Sequence, residues 1–210
     1  MRTYFSIIRG FNRDIIIYLI YNCAISMAFP GILNVLVNLY LLRMGYQTEF
    51  IGGLLASGMI IWGVLALPAG TIGARIGLKR AMILSMFTMA AAVLLLIAAG
   101  FLREPYRAPS LIISWMLLWG GAALVSVNSL PYVMAITNDE NRSYVFSVQQ
   151  ALAALVILGG SLISGVLPGV YARLLGTTLD QPLPYQLALL LSPLFYLIAG
   201  LILFKAREVA

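Results

Sequence analysis

The side chains of this 210-residue chain that could meet a ligand are almost all uncharged. Asn22, Ser26, Asn34 and Asn38 fall in one charge-free run, Ile15–Leu42. Trp115, Trp119, Ser126, Asn128 and Ser129 fall in a second, Ala108–Asn138, and Ser147, Gln150, Ser161 and Ser164 in a third, Ser143–Ala172. Amides, hydroxyls and indoles exchange hydrogen bonds without moving protons near neutral pH. Their spacing is helical. Ser147, Gln150, Ala154, Ser161 and Ser164 recur at intervals of three, four or seven and share a face, as do Trp115, Trp119, Ala122, Ser126 and Ser129, with Asn128 and Tyr132 in a stripe beside them. For any one of these residues the plain reading is a hydrogen bond between helices, worth about 0.6–2 kcal/mol. Taken together they suit a water-filled cavity, and Asn22, Ser26, Asn34, Trp119, Ser126, Asn128 and Gln150 are the expected cavity residues.

Other chemistry lacks its residues. The chain contains no His, which removes His-based triads and His metal ligands. Asp14, Glu49, Glu104, Asp139, Glu140, Asp180 and Glu208 are scattered over loops and span ends, with no pair spaced for acid–base work. No glycine-rich phosphate loop of the Walker kind occurs. Cys23 stands alone, so there is no disulfide framework. The expectation is a protein that is not an enzyme and takes no cofactor or metal.

The elements that carry these faces follow from the distribution of charge. Hydrophobic residues make up 62% of the chain and charged ones 10%, too few to cover a water-facing surface. Charge-free runs cover Ile15–Leu42, Phe50–Ala74, Ala81–Leu102, Ala108–Asn138, Ser143–Ala172 and Gln181–Phe204. Each exceeds the roughly 20 residues that cross a bilayer core as a helix. Backbone groups in lipid must be paired internally, and no 10-residue alternating strands of a barrel appear. The expected fold is therefore all-α, one bundle over residues 1–210 with transmembrane helices near 14–42, 50–74, 81–102, 110–138, 143–172 and 184–205. The first run is too long for a signal peptide. Residues Met1–Asp14, with Phe5, Ile7, Ile8 and Phe11 among arginines, suit a short amphipathic stretch along the headgroups.

With six crossings, Arg2, Arg9, Arg13, Arg75, Lys79, Arg80, Arg142, Lys205 and Arg207 share a side with both termini, and Arg43, Arg103, Arg107 and Arg173 lie opposite. That asymmetry places the termini in the cytoplasm of a multi-pass cell-membrane protein. It accounts for the net charge of +6 by topology and headgroup attraction rather than by nucleic acid.

The helices also differ in kind, and the order repeats. A polar helix interrupted by Pro30-Gly31 precedes a glycine-rich one and a bland one; the polar fourth, glycine-rich fifth and bland sixth repeat that order. Three crossings per unit make the second copy inverted, as in many secondary transporters, whose sites lie at the repeat interface. Pro30 should bend its helix and release a carbonyl. Gly165 and Gly169, Ala66 and Gly70, and Ala69 and Gly73 are small-residue pairs suited to close packing within the chain, or to bending and sliding. No Asp, Glu, Lys or Arg lies inside a span, which argues against a proton-coupling site here.

The segment Gly70-Thr-Ile-Gly-Ala-Arg-Ile-Gly-Leu-Lys-Arg80 resembles the signature loop between helices two and three of the major facilitator superfamily, matching at Gly70, Arg75, Gly77 and Lys79. Ala74 stands where that signature has an acidic residue, and Leu78 where it has a basic one. Tyr40-Leu-Leu-Arg-Met-Gly-Tyr46 before Glu49-Phe-Ile-Gly52 is similar to the family's first external loop, and Asp139-Glu-Asn-Arg142 before Phe146-Ser147 to its loop between helices four and five.

The resemblance implies the N-terminal six-helix half of a twelve-helix transporter that moves a small solute by alternating access. Helices one and four, with parts of two and five, would line the cavity, and three and six would face lipid. Gly70, Arg75, Gly77, Lys79 and Arg80 would form a cytoplasmic gating loop without its usual acidic latch, with Glu140 and Arg142 in the loop after helix four. The implied partners are the lipid bilayer, the solute and a C-terminal six-helix half or a second copy. The alternatives are a half-size transporter acting as a homodimer and a non-transporting membrane scaffold.

Overall fold

The computed structural model describes residues 10–209. Six helices in it are long and apolar enough to cross a membrane: α1, Arg13–Arg43; α2, Thr48–Ile76; α3, Leu78–Ala99; α4, Glu104–Ile136; α5, Arg142–Leu174; and α6, Leu183–Phe204. The described residues contain no strand. Several helices run past the expected ends. α2 continues through Arg75, α5 begins on Arg142, and α4 begins at Glu104 rather than near residue 110. Charge marks where the apolar zone stops, not where backbone pairing stops. Pro105 sits in the first turn of α4, where a missing N–H costs nothing, and Arg107 pairs with Glu104 at 2.8 Å.

Residues 1–9 of the expected amphipathic stretch lie outside the described residues. Of the remainder, Phe11 is buried, and Asn12 caps α1 by accepting a hydrogen bond from the Ile15 amide at 2.8 Å. The Asn12 amide donates to the Ile136 carbonyl at the end of α4, 3.1 Å away.

Proline disturbs two helices in different ways. α1 loosens into a π-helical stretch, Met27–Leu33, around Pro30, which has no N–H to give. Carbonyls there are taken up by neighbours: Ser192 of α6 donates to Ala28 at 2.8 Å, and Ser164 of α5 donates to Gly31 at 3.1 Å. The carbonyl release expected at Pro30-Gly31 is thus answered by two hydroxyls from other helices. α6 is broken at Leu190, between Leu183–Leu189 and Leu191–Phe204, because Pro193 cannot bond back to Leu189.

Side chains decide the neighbours. α1 packs on α5 and α6, α4 packs on α2 and α3, and α3 meets α6. Glycines allow the close approaches. A Cβ on Gly121 of α4 would meet Met89 of α3 at 2.6 Å, and one on Gly200 of α6 would meet Met86 of α3 at 3.3 Å. α3 is consequently wedged between α4 and α6, with Met82, Met86 and Val93 fully buried. It exposes a stripe of Leu84, Phe87, Leu94 and Leu95, and α6 exposes Leu190, Leu194, Ile198 and Leu201.

One end of the bundle is tied by its charges. Lys79 donates to the carbonyls of Phe204 and Ala206, at 3.3 and 2.8 Å, capping the C-terminus of α6. Arg80 pairs with Glu208 at 3.6 Å, and the Arg207 amide donates to Asp14 at 2.9 Å. At the opposite end Arg43 pairs with Asp180 at 3.2 Å.

Candidate functional site

The polar face breaks into parts with different roles. Asn128 is 1% exposed, and its amide donates to Ala69 of α2 at 3.1 Å and to Leu124 of its own helix at 2.8 Å. Gly73 has no side chain, and the Asn128 carboxamide occupies the space a Cβ would need. Asn128 is therefore part of the α2–α4 seam and does not reach the open surface. Replacing it with Ala should lower stability by about 0.6–2 kcal/mol. Reversible unfolding in mixed micelles measures this, and an unchanged midpoint would count against a clamping role.

Ser26 is also buried, in the last turn before the π-helical stretch. Asn34, Ser126 and Gln150 are exposed, and Asn22 and Trp119 are half-buried. The stripe on α5 divides: Ser164 is buried against α1, while Ser147, Gln150 and Ala154 are open. Spacing alone could not distinguish those ends, because the close contact comes from Gly31 and Gly160.

Around the middle of the bundle the aromatic residues converge. The ring of Phe29, in the π-helical stretch of α1, meets Trp119 edge-on with centroids 5.5 Å apart, and Trp115 lies 6.3 Å from Trp119. The Trp62 indole of α2 donates to the Ser126 hydroxyl at 3.1 Å. Trp62 and Phe29 were not among the expected site residues. The signal each offered was an aromatic ring midway along a span. The indole N–H groups of Trp115 and Trp119 press on Gly58 of α2 and have no acceptor among the described residues.

Toward the end that holds the termini, Tyr18 and Tyr132 stack loosely, with centroids 6.1 Å apart. The Tyr18 hydroxyl faces Gln149 and Ser129, joining α1, α4 and α5. Gln149, next to the expected Gln150, is the amide that enters this junction. The carboxamide oxygens of Asn22, Asn38 and Gln149 are buried without a partner among the described residues. The exposed Asn34, Ser126 and Gln150 and the half-buried Trp119 offer neutral donors, acceptors and an aromatic face. Among the described residues no three of His, Cys, Asp and Glu come together as a metal group.

In the loop between α2 and α3, Gly77 alone joins the helices, at φ 96°, a backbone that only glycine adopts freely. Lys79 and Arg80 turn toward the α6 terminus as described above. Arg75 is exposed, and Gly70 lies where a Cβ would touch Val127 of α4 at 3.5 Å. After α4, Asn138 and Asn141 exchange amide-to-side-chain bonds at 3.0 Å, and Arg142 binds Asp139 at 3.0 Å and Thr137 at 3.3 Å. Glu140 is exposed at the tip.

Gly165 and Gly169 correct one sequence reading. A Cβ at either would meet nothing within 4 Å, and the same is true of Gly52, Gly53, Gly63 and Gly159. The Gly165/Gly169 pair does not serve packing among the described residues. Ala69 and Gly73 do, against Asn128.

No protein-family model matches this chain, and no curated protein matches it.

Proposed function

We propose that this chain is a six-helix half of a transporter of major facilitator type, which carries a small neutral solute across the cell membrane by alternating access. The observation that carries the reading is the exposure of Asn34, Ser126 and Gln150 about two turns or more inside α1, α4 and α5. Amide and hydroxyl groups at that depth are unfavourable against lipid and favour a water-filled path.

Helix packing supports two inverted units. Exchanging α1 with α4, α2 with α5 and α3 with α6 converts the α1–α5 and α1–α6 contacts into α4–α2 and α4–α3, and returns α3–α6 to itself. That exchange is what two inverted three-helix units would give. The excess of cations beside the termini favours placing them in the cytoplasm. α2 and α5 are the least buried helices, with Met59, Ile60, Val64 and Leu67 exposed on one and Leu155, Leu158, Leu162 and Val166 on the other. Those surfaces, with their open glycines, suit a second six-helix bundle in the same polypeptide or in a second copy.

Single cysteines at Asn34, Ser126 and Gln150 in a Cys23→Ala background test the reading. A membrane-impermeant maleimide should modify them, and should leave cysteines at Leu94 and Ile198 unmodified. If Asn34→Cys, Ser126→Cys and Gln150→Cys are as inert as the two lipid-stripe positions, the cavity does not exist.

A further inference from the structure

α2 and α3 diverge from their shared turn at Gly77, and the gap between them is floored by α4. The result is a cleft of about 230 Å³, walled by Leu65, Pro68 and Ile72 of α2 and Thr88 of α3, with Leu117 and Gly120 of α4 beneath. Its lining is apolar. The single hydroxyl, on Thr88, is committed to the Leu84 carbonyl at 2.9 Å. Gly120 gives the cleft its depth, since a Cβ there would reach Leu65 at 3.1 Å.

The cleft lies on the far side of the α2–α4 seam from Ser126 and Trp119, so the solute-facing surface described above does not account for it. Both walls end in an arginine at the Gly77 turn. Pro68, Ile72 and Arg75 follow at intervals of four and three on α2, and Arg80, Leu84 and Thr88 at intervals of four on α3. Arg75 is exposed and has no partner among the described residues. Arg80 is 73% exposed and faces one acidic group, Glu208, at 3.6 Å. Lys79, between them, is occupied with the α6 carbonyls.

An apolar groove between two apolar spans, with an exposed arginine at the Gly77 end of each wall, matches an amphiphile with a chain and an anionic head. We propose that this cleft binds an anionic phospholipid of the leaflet beside the termini, with an acyl chain between α2 and α3 and the phosphate between Arg75 and Arg80. Arginine suits that headgroup because its planar fork binds phosphate oxygens in pairs. The chain supplies affinity through burial and the arginines supply the preference for negative charge.

Native mass spectrometry of the purified chain, titrated with phosphatidylglycerol or phosphatidylcholine of identical acyl chains, reads both parts. Phosphatidylglycerol should be retained about tenfold more strongly, a difference of roughly 1.4 kcal/mol. Arg75→Gln with Arg80→Gln should abolish that preference, lowering phosphatidylglycerol retention to the level of phosphatidylcholine, whose own phosphate contact is also weakened. Leu117→Trp, at a half-open position that fills the groove, should weaken both lipids. Equal retention of the two lipids by the unmodified chain would overturn the proposal, and so would an undiminished preference in the double arginine variant. The arginines are surface residues, so the second result stands even if the tryptophan variant fails to fold. Neither outcome depends on solute transport.

Discussion

Gly160→Ala should destabilise the bundle, while Gly159→Ala one position away should be neutral or stabilising. Helix propensity predicts the same sign for both, a gain of up to about 1 kcal/mol for replacing glycine with alanine. Packing separates them. A Cβ on Gly159 meets open space, whereas one on Gly160 would lie 2.9 Å from the Cα of Gly31 and 2.8 Å from the sulfur of Met27. The methionine can swing away, but the Gly31 backbone cannot, because it sits in the π-helical stretch held by Ser164 and Ser192. Separating α1 from α5 would also lengthen the Ser164–Gly31 bond. Overpacking of this kind costs about 1–3 kcal/mol, which exceeds the propensity gain. Gly160→Val should cost about 3 kcal/mol or more and lower the yield of folded protein. Thermal unfolding in detergent, scored on the two alanine variants side by side, checks the sign. Equal midpoints would mean that α1 and α5 do not meet at Gly31 and Gly160.

Gly165→Leu combined with Gly169→Leu should do the reverse. A Cβ on either glycine meets nothing within 4 Å among the described residues, so the unfolding midpoint should move by no more than the roughly 0.5 kcal/mol typical of surface changes. Assembly with a second six-helix bundle should weaken by about a hundredfold, equivalent to roughly 2.7 kcal/mol, because leucines prevent the close helix approach that small residues allow. Solute uptake should fall with it. Co-purification of separately tagged bundles measures the first effect and uptake into vesicles the second. A large loss of thermal stability with unchanged assembly would return these glycines to packing within the chain.

Much of this arrangement was legible in the residues. Charges such as Arg13, Arg43 and Arg142 bracket the spans, since an unpaired ion cannot stay in hydrocarbon, and Pro30 announced a disturbed helix because its ring removes a donor. The finer assignments were not legible. Asn128 and Ser126 are two residues apart on one helix, yet one is sealed against Gly73 and the other opens beside Trp62. Only the position of α2 separates them, and spacing within α4 carries no information about that. The glycines pose the same problem. Gly160 and Gly165 have identical local chemistry, and what distinguishes them is whether Gly31 stands opposite. Contacts across long sequence separations, such as Lys79 with the end of α6, were also unreadable, because an exposed lysine in a turn equally suits water or headgroups.

The cavity, the second bundle and the inverted units all need the five connections to alternate between the two sides of the membrane. Single cysteines at Gln47, Arg80, Arg103, Glu140 and Thr178, in a Cys23→Ala background, can be blocked from either side in sealed vesicles before labelling. The account predicts that positions 80 and 140 share the side of both termini and that positions 47, 103 and 178 lie opposite. Two consecutive connections on the same side would contradict it.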